Sequence, residues 1–195
     1  MILLPFYIPR IFLLSLVVLI LSGCAAAVVT TGATAANVAH DRRTTGTFIE
    51  DQSIELKAIS EFFKDKEINS NTHINVTSYN QVVLVTGEAP TEELRQRIID
   101  IVNGIPKVTK VYNEITIAAP SAFSSRSSDS LITTKVKTKL LTMDNFDGTR
   151  VKVVTEKGIV YLMGLLTRDE AERATEVTRR SGGVQKVVKL FQYIK

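Results

Sequence analysis

The chain has one cysteine, no tryptophan and two histidines among its 195 residues. One cysteine excludes an internal disulfide framework and a cysteine-based zinc site. His40 and His73 lie far apart in the sequence and leave no pair for a metal centre or a catalytic triad. Serine and threonine are abundant, yet no Gly-x-Ser-x-Gly turn accompanies them. The carboxylate pairs Glu92-Glu93 and Asp169-Glu170 stand at helix starts, where the helix dipole already accounts for them. Residues 144–148 resemble a calcium loop but lack its remaining ligands and terminal glutamate, so they read as a helix-ending turn. No basic stretch is interleaved with aromatics as in a nucleic-acid binder. These absences point to a protein that is not an enzyme and needs neither cofactor nor metal.

What is present is globular: 45% hydrophobic and 23% charged residues, with a net charge of +4. The longest apolar run, residues 11–21, follows a weakly basic start containing Arg10 and ends in Leu21-Ser22-Gly23-Cys24. Small residues before a cysteine let the peptide lie extended in a peptidase groove and leave a thiol free to take a lipid. The run resembles a bacterial lipoprotein signal with its lipobox. That resemblance implies removal of residues 1–23 and acylation of Cys24 with fatty chains such as palmitate. Ala25 stands where the inner-membrane retention signal would place Asp, which implies an outer-membrane anchor facing the periplasm and removes nucleic acid as a partner. Residues 11–29 approach the length of a membrane span, but Ser22-Gly23-Cys24 and the Ala/Thr/Gly tract beyond are poor helix-core material.

Residues 24–47 lack periodicity and read as a flexible tether, and the Ser-rich residues 118–129 read as a linker. The segments they set off, 48–117 and 130–195, are repeats. At an offset of 77, Ser53 matches Ser130, Ile59 matches Val136 and Phe63 matches Leu140. The same offset takes Val83 to Val160, Val85 to Leu162 and Gly87 to Gly164; it drifts to 79 at the ends, Ile105 to Val184 and Ile115 to Ile194. In each copy a helical stretch (53–64, 130–143) precedes two alternating runs separated at hairpin length. A second helix follows, after Thr91 in one copy and behind the capping-box pattern Thr167-Arg-Asp-Glu170 in the other, and a strand closes each. The order αββαβ predicts an α+β fold: per copy, a three-stranded mixed sheet with two helices on one face.

The αββαβ order, Gly87 and Gly164 after the second strand, and the segments Leu131-Ile-Thr-Thr-Lys-Val136, Val151-Lys-Val153 and Tyr161-Leu-Met-Gly164 resemble the BON domain. A tandem pair behind a lipobox resembles the dual-BON outer-membrane lipoproteins linked to cell division and envelope stress. That resemblance implies a non-catalytic protein that supports envelope integrity and binds anionic, phosphatidylglycerol-like phospholipid through the first helix of its second BON domain.

Charge selects the same copy. Residues 47–120 carry 7 basic and 11 acidic side chains, residues 121–195 carry 14 and 8. At ~100° per residue, Ile132, Val136, Leu140 and Met143 share the core face of the helix, while Leu131 and Leu141 fall on the other side with Thr134 and Thr138 between them. Lys135 and Lys139 border one edge of this patch and Lys137 lies toward the other. Apolar side chains bordered by ammonium groups fit a helix lying at a lipid interface. In the first copy, Lys64 is expected where Leu141 stands, with Lys57, Glu61 and Asp65 also off the core, which makes that copy a packing partner or spacer. A protein-binding adaptor for outer-membrane assembly, cell-wall or division-site machinery is the competing function.

Overall fold

The computed structural model describes residues 41–195. The apolar run, Cys24 and residues 24–40 of the expected tether lie outside the described residues.

The first copy consists of α1 (Thr45–Lys64), a short α2 (Lys66–Asn71), β1 (His73–Tyr79), β2 (Val82–Ala89), α3 (Glu92–Asn103) and β3 (Lys110–Ile117). The second consists of α4 (Phe123–Leu141), a 3-10 turn (Gly148–Arg150), β4 (Lys152–Glu156), β5 (Ile159–Leu166), α5 (Arg168–Arg179) and β6 (Lys186–Tyr193). In each, the first two strands pair antiparallel and the last lies parallel beside the middle one. The mixed αββαβ sheet read from the sequence is therefore the observed one, with α2 added. Asp65 starts α2 by accepting the N–H groups of Glu67 and Ile68.

Both α1 and α4 start earlier than their periodicity indicates. Helix α1 opens at Thr45, inside the expected tether, capped by the Thr44 hydroxyl at 3.1 Å from the Thr47 nitrogen. Helix α4 takes up residues 123–129 of the expected linker. Serine composition reads as loop, but serine is only mildly unfavourable in a helix, and a tertiary bond decides the outcome. Asp129, in the second turn of α4 and buried, accepts the backbone N–H groups of Lys157 and Gly158 at 2.8 Å each. Asp51 does the same in α1, for Asn80 at 2.7 Å and Gln81 at 2.8 Å. Asn80, Gln81, Lys157 and Gly158 all have positive φ, so each hairpin is a tight turn whose inward N–H groups are held by a helix carboxylate.

This pair of aspartates corrects the repeat alignment. Asp51 and Asp129 are 78 apart, as are Ile54 and Ile132, Ala58 and Val136, and Phe62 and Leu140, all buried. Ile59 and Phe63, expected in the core, are exposed. The strands keep the offset of 77, so the second copy is one residue shorter between helix and sheet. Met143 falls past the end of α4 and is only partly buried.

The described residues are layered helices, sheet, sheet, helices. Val83 and Val85 of β2 face α1 and α3, and Val160 and Leu162 of β5 face α4 and α5. Because side chains alternate across a strand, Leu84, Tyr161 and Met163 point the other way. There they form a third core with Tyr79 and Leu190, in which the two sheets pack on each other. Polar bonds run through the same seam: Asn80 Nδ2 donates to Gln192 Oε1 at 2.6 Å, and the Tyr161 hydroxyl donates to Glu114 at 3.2 Å. Glu88, fully buried, is paired with Lys157 at 2.9 Å. Burial alone would raise its carboxyl, but Lys157 and the Ser121 N–H outweigh that and hold it below the ordinary range.

The residues leading into α1 also cross to the second copy. Arg42 forms a two-pronged bond with Glu170, at 2.6 and 2.8 Å, and donates to the Leu165 carbonyl at 3.0 Å. Glu170 is also the closing member of the α5 capping box. The Arg42 bonds, opposed by burial and helped by Thr167, hold the Glu170 carboxyl down to about 2 from 4.5. A carboxyl depressed on folding contributes stability above its unfolded pKa and loses it as pH falls. Urea midpoints should therefore drop between pH ~4.5 and ~2, and Glu170→Gln should flatten that slope while lowering the midpoint at neutral pH. An unchanged slope would remove Glu170 from the acid response.

Candidate functional site

Helix α4 lies on the outer layer of the second copy, held by Ile132, Val136 and Leu140 beneath it. Leu131 and Leu141 are 62% and 59% exposed, so neither is used by the protein's own interior. Ten residues of helix separate them by about 15 Å along the axis and about 80° around it. Thr134 and Thr138 lie exposed between them, and Lys135, Lys137 and Lys139 are exposed along the edges. The structure thus places these seven residues, singled out from the sequence, on the exposed surface of one helix.

Their side chains are differently committed. Thr134 donates its hydroxyl to the Ser130 carbonyl at 2.9 Å, back along the helix, which leaves its methyl group outward. Lys139 reaches the Arg180 carbonyl at the end of α5, at 3.0 Å, and so stitches the two outer helices together. That bond leaves Lys135 and Lys137 as the better placed cations. Past the end of α4, residues 144–148 form the expected turn: Arg173 donates to the carbonyls of Asp144 and Asn145 at 2.6 and 3.2 Å.

The pattern of the helix alone does not show what adjoins Leu131. An open groove of about 510 Å³ lies at the start of α4, lined among others by Leu131, Lys135, Lys157, Gly158, Gly182 and Gly183. Gly183 has φ +97 and sits so close that a Cβ there would lie 2.9 Å from Ile132 Cγ1; a Cβ at Gly182 would meet nothing within 4 Å. The Gly182-Gly183 pair was the available signal for a backbone running close under the helix. Lysines at two points of this rim give the groove a positive edge, though Lys157 is shared with Glu88.

The first copy departs from expectation. With the helix offset at 78, Phe63 and not Lys64 occupies the place of Leu141, Leu56 that of Thr134 and Ile59 that of Lys137. Its outer helix face carries an exposed apolar row, Ile49, Leu56, Ile59 and Phe63, beside Lys57, Glu61 and Lys64, which lie off the core as expected. Among the described residues, no helix is long and apolar enough to cross a membrane.

Comparison with known proteins places these features. The BON domain family is matched twice, at residues 50–119 and 128–195. The chain is 39% identical over 174 residues to the outer membrane lipoprotein DolP of Haemophilus influenzae, covering 89% of this chain and 90% of that protein. It is 37% identical over 155 residues to a 21 kDa hemolysin of Actinobacillus pleuropneumoniae, covering 80% of each. It is 26% identical over 145 residues to the osmotically-inducible protein Y of Escherichia coli, covering 73% of this chain and 72% of that one.

Proposed function

This chain belongs to the BON domain family, and on that premise we propose that it is a non-catalytic outer-membrane lipoprotein that binds anionic phospholipid through α4. Acyl chains on Cys24 hold it on the periplasmic face, and its binding supports envelope integrity. The outer-membrane lipoprotein among its relatives supports the location.

The observation that carries the reading is the exposure of Leu131 and Leu141 on the outward side of α4, with Lys135 and Lys137 beside them. Each leucine gains ~1.5–3 kcal/mol if fully buried among acyl chains. Each lysine near anionic headgroups adds ~1 kcal/mol. That sum is small for a free protein and sufficient for one already held at the surface, because a tether raises the local concentration. With no tryptophan in the chain, insertion is shallow.

The test uses the chain from residue 24 with Cys24→Ser, so that binding is not supplied by acylation and Arg42 stays in place. It is expected to float with phosphatidylglycerol vesicles at low salt, less at high salt, and little with phosphatidylcholine. Leu131→Glu with Leu141→Glu should abolish flotation and leave the melting temperature unchanged, both positions being exposed. A folded double variant that floats like the parent removes α4 as the lipid surface.

A further inference from the structure

The positive charge of the second copy extends beyond α4. An open groove of about 330 Å³ lies between the end of α5 and β6, lined among others by Arg179, Val184, Gln185, Lys186, Val187 and Lys189. Strand β6 is the outer strand of its sheet. Lys186 and Lys189 are exposed and have no ion-pair partner among the described residues. Arg179 shares its charge with Glu176 at 3.4 Å, both well exposed. The acids of α5, Asp169, Glu170, Glu172 and Glu176, all stand outside the lining.

The fold does not require these cations. The first sheet pairs Val82 with Lys110 and Val85 with Asn113; the second pairs Ile159 with Lys186 and Leu162 with Lys189. Helices α3 and α5 end at Asn103 and Arg179. The first copy therefore has one cation where the second has three, and its Lys110 lies over the Tyr112 ring at 4.4 Å. Lysines on an outer strand often guard it against pairing with another chain. Strand β3 is equally an outer strand and does without the other two.

Two contacts join this groove to the surface of α4. Gln185 lines both it and the groove beside Leu131 and Lys135. Lys139 of α4 donates to the Arg180 carbonyl, next in the chain to Arg179. Lys135, Lys157, Arg179, Lys186 and Lys189 thus line two adjoining grooves, although Lys157 is shared with Glu88. Half-buried Val184 and Val187 give the α5–β6 groove an apolar wall beside its charges, which suits an amphiphile better than a free ion.

We propose that the α5–β6 groove seats the phosphate of a second anionic phospholipid, next to the one bound at α4. Lys186 and Lys189 donate to its phosphate oxygens, and Val184 and Val187 lie against its glycerol end. The inference rests on the lipid reading of α4, whose footprint it widens from one helix to the neighbouring edge of the domain.

The test uses the chain from residue 24 with Cys24→Ser and vesicles of phosphatidylglycerol. Lys186→Gln with Lys189→Gln is expected to weaken binding about tenfold or more and to make its fall with salt shallower, at an unchanged melting temperature. Lys57→Gln with Lys66→Gln removes the same charge from exposed positions of the first copy and should leave binding nearly as it was. Because no other cysteine exists in the chain, Gln185→Cys carries a polarity-sensitive dye at the groove. Its emission should shift to the blue on vesicles, and that of the same dye on Lys57→Cys should not. Equal losses in the two lysine pairs would reduce the effect to net charge and overturn the proposal. A Gln185→Cys dye that stays in water while the chain floats also overturns it. A Lys186/Lys189 variant that binds vesicles like the parent but self-associates in sedimentation assigns the lysines to guarding the sheet edge. A Glu-rich peptide bound in solution and lost in that variant, with vesicle binding kept, assigns the groove to an acidic protein. Both results overturn the second lipid site and leave α4 untouched. Failure of the parent itself to float would instead overturn the lipid reading of α4.

Discussion

Alanine in place of Gly87 is expected to prevent the first sheet from closing. Gly87 stands opposite Ile74 in the ladder with φ +118, a conformation that residues with a Cβ rarely adopt. A Cβ there would lie 1.9 Å from the His73 carbonyl oxygen, and both atoms are fixed by backbone, so no side-chain rotation relieves the clash. The strands must separate at that point, at a cost of ~4 kcal/mol or more, against a whole-domain stability of ~5–15 kcal/mol. The second copy repeats the arrangement in a milder form: a Cβ on Gly164 would meet the Arg150 carbonyl at 2.8 Å, without positive φ. The expected order of damage is therefore Gly87→Ala, then Gly164→Ala, with Gly182→Ala near zero. Urea unfolding followed by circular dichroism measures it, since there is no tryptophan to follow. The shared core of Tyr79, Leu84, Tyr161, Met163 and Leu190 makes the loss of one sheet a loss for both copies. A Gly87→Ala midpoint equal to that of the parent would refute the close-approach argument.

The same glycines show what the sequence discloses and what it hides. Their repetition near the end of the second strand, the turn residues at 80–81 and 156–158, and the caps Thr91 and Thr167-Glu170 are local signals, and they sufficed for the αββαβ order. The outward face of α4 was also legible, because Ile132, Val136 and Leu140 leave one possible core register. Helix α1 offers two. Ala58-Ile59 and Phe62-Phe63 are adjacent apolar pairs, and by size Ile59 and Phe63 are the better core candidates. The structure buries Ala58 and Phe62 because Asp51 must reach the 80–81 turn, and that bond fixes the azimuth of the helix. A one-residue difference in register thus concealed the apolar stripe. Arg42 was hidden for another reason: its partner Glu170 is 128 residues away, and no local pattern announces such a pair.

Removing the Asp51 carboxylate should cost more than removing its counterpart Asp129, although the two hold the same turn. Asp51 is 1% exposed and accepts four bonds: the Ser78 hydroxyl at 2.6 Å, the backbone N–H groups of Asn80 and Gln81, and Arg43 at 2.7 Å. Arg43 is itself enclosed, over the Tyr79 ring at 4.1 Å and the Phe48 ring at 5.1 Å, with Asp41 as its other anion. Asp51→Ala leaves two inward N–H groups unpaired and half the charge balance of a buried guanidinium missing, a loss of ~3–5 kcal/mol. Asp129 accepts the N–H groups of Lys157 and Gly158, so its removal should cost nearer ~2–3 kcal/mol. The functional consequences run the opposite way. Asp129 sits on α4 and lines the groove beside Leu131 and Lys135, so its alanine variant releases the start of α4 from the 157–158 turn. Asp51 lies on α1, and its loss releases α1 from the 80–81 turn instead. In folded protein below the unfolding midpoint, Asp129→Ala should weaken phosphatidylglycerol flotation and Asp51→Ala should spare it. Equal losses of flotation would mean that the two copies respond as one rigid body and that neither aspartate sets the azimuth of its own helix.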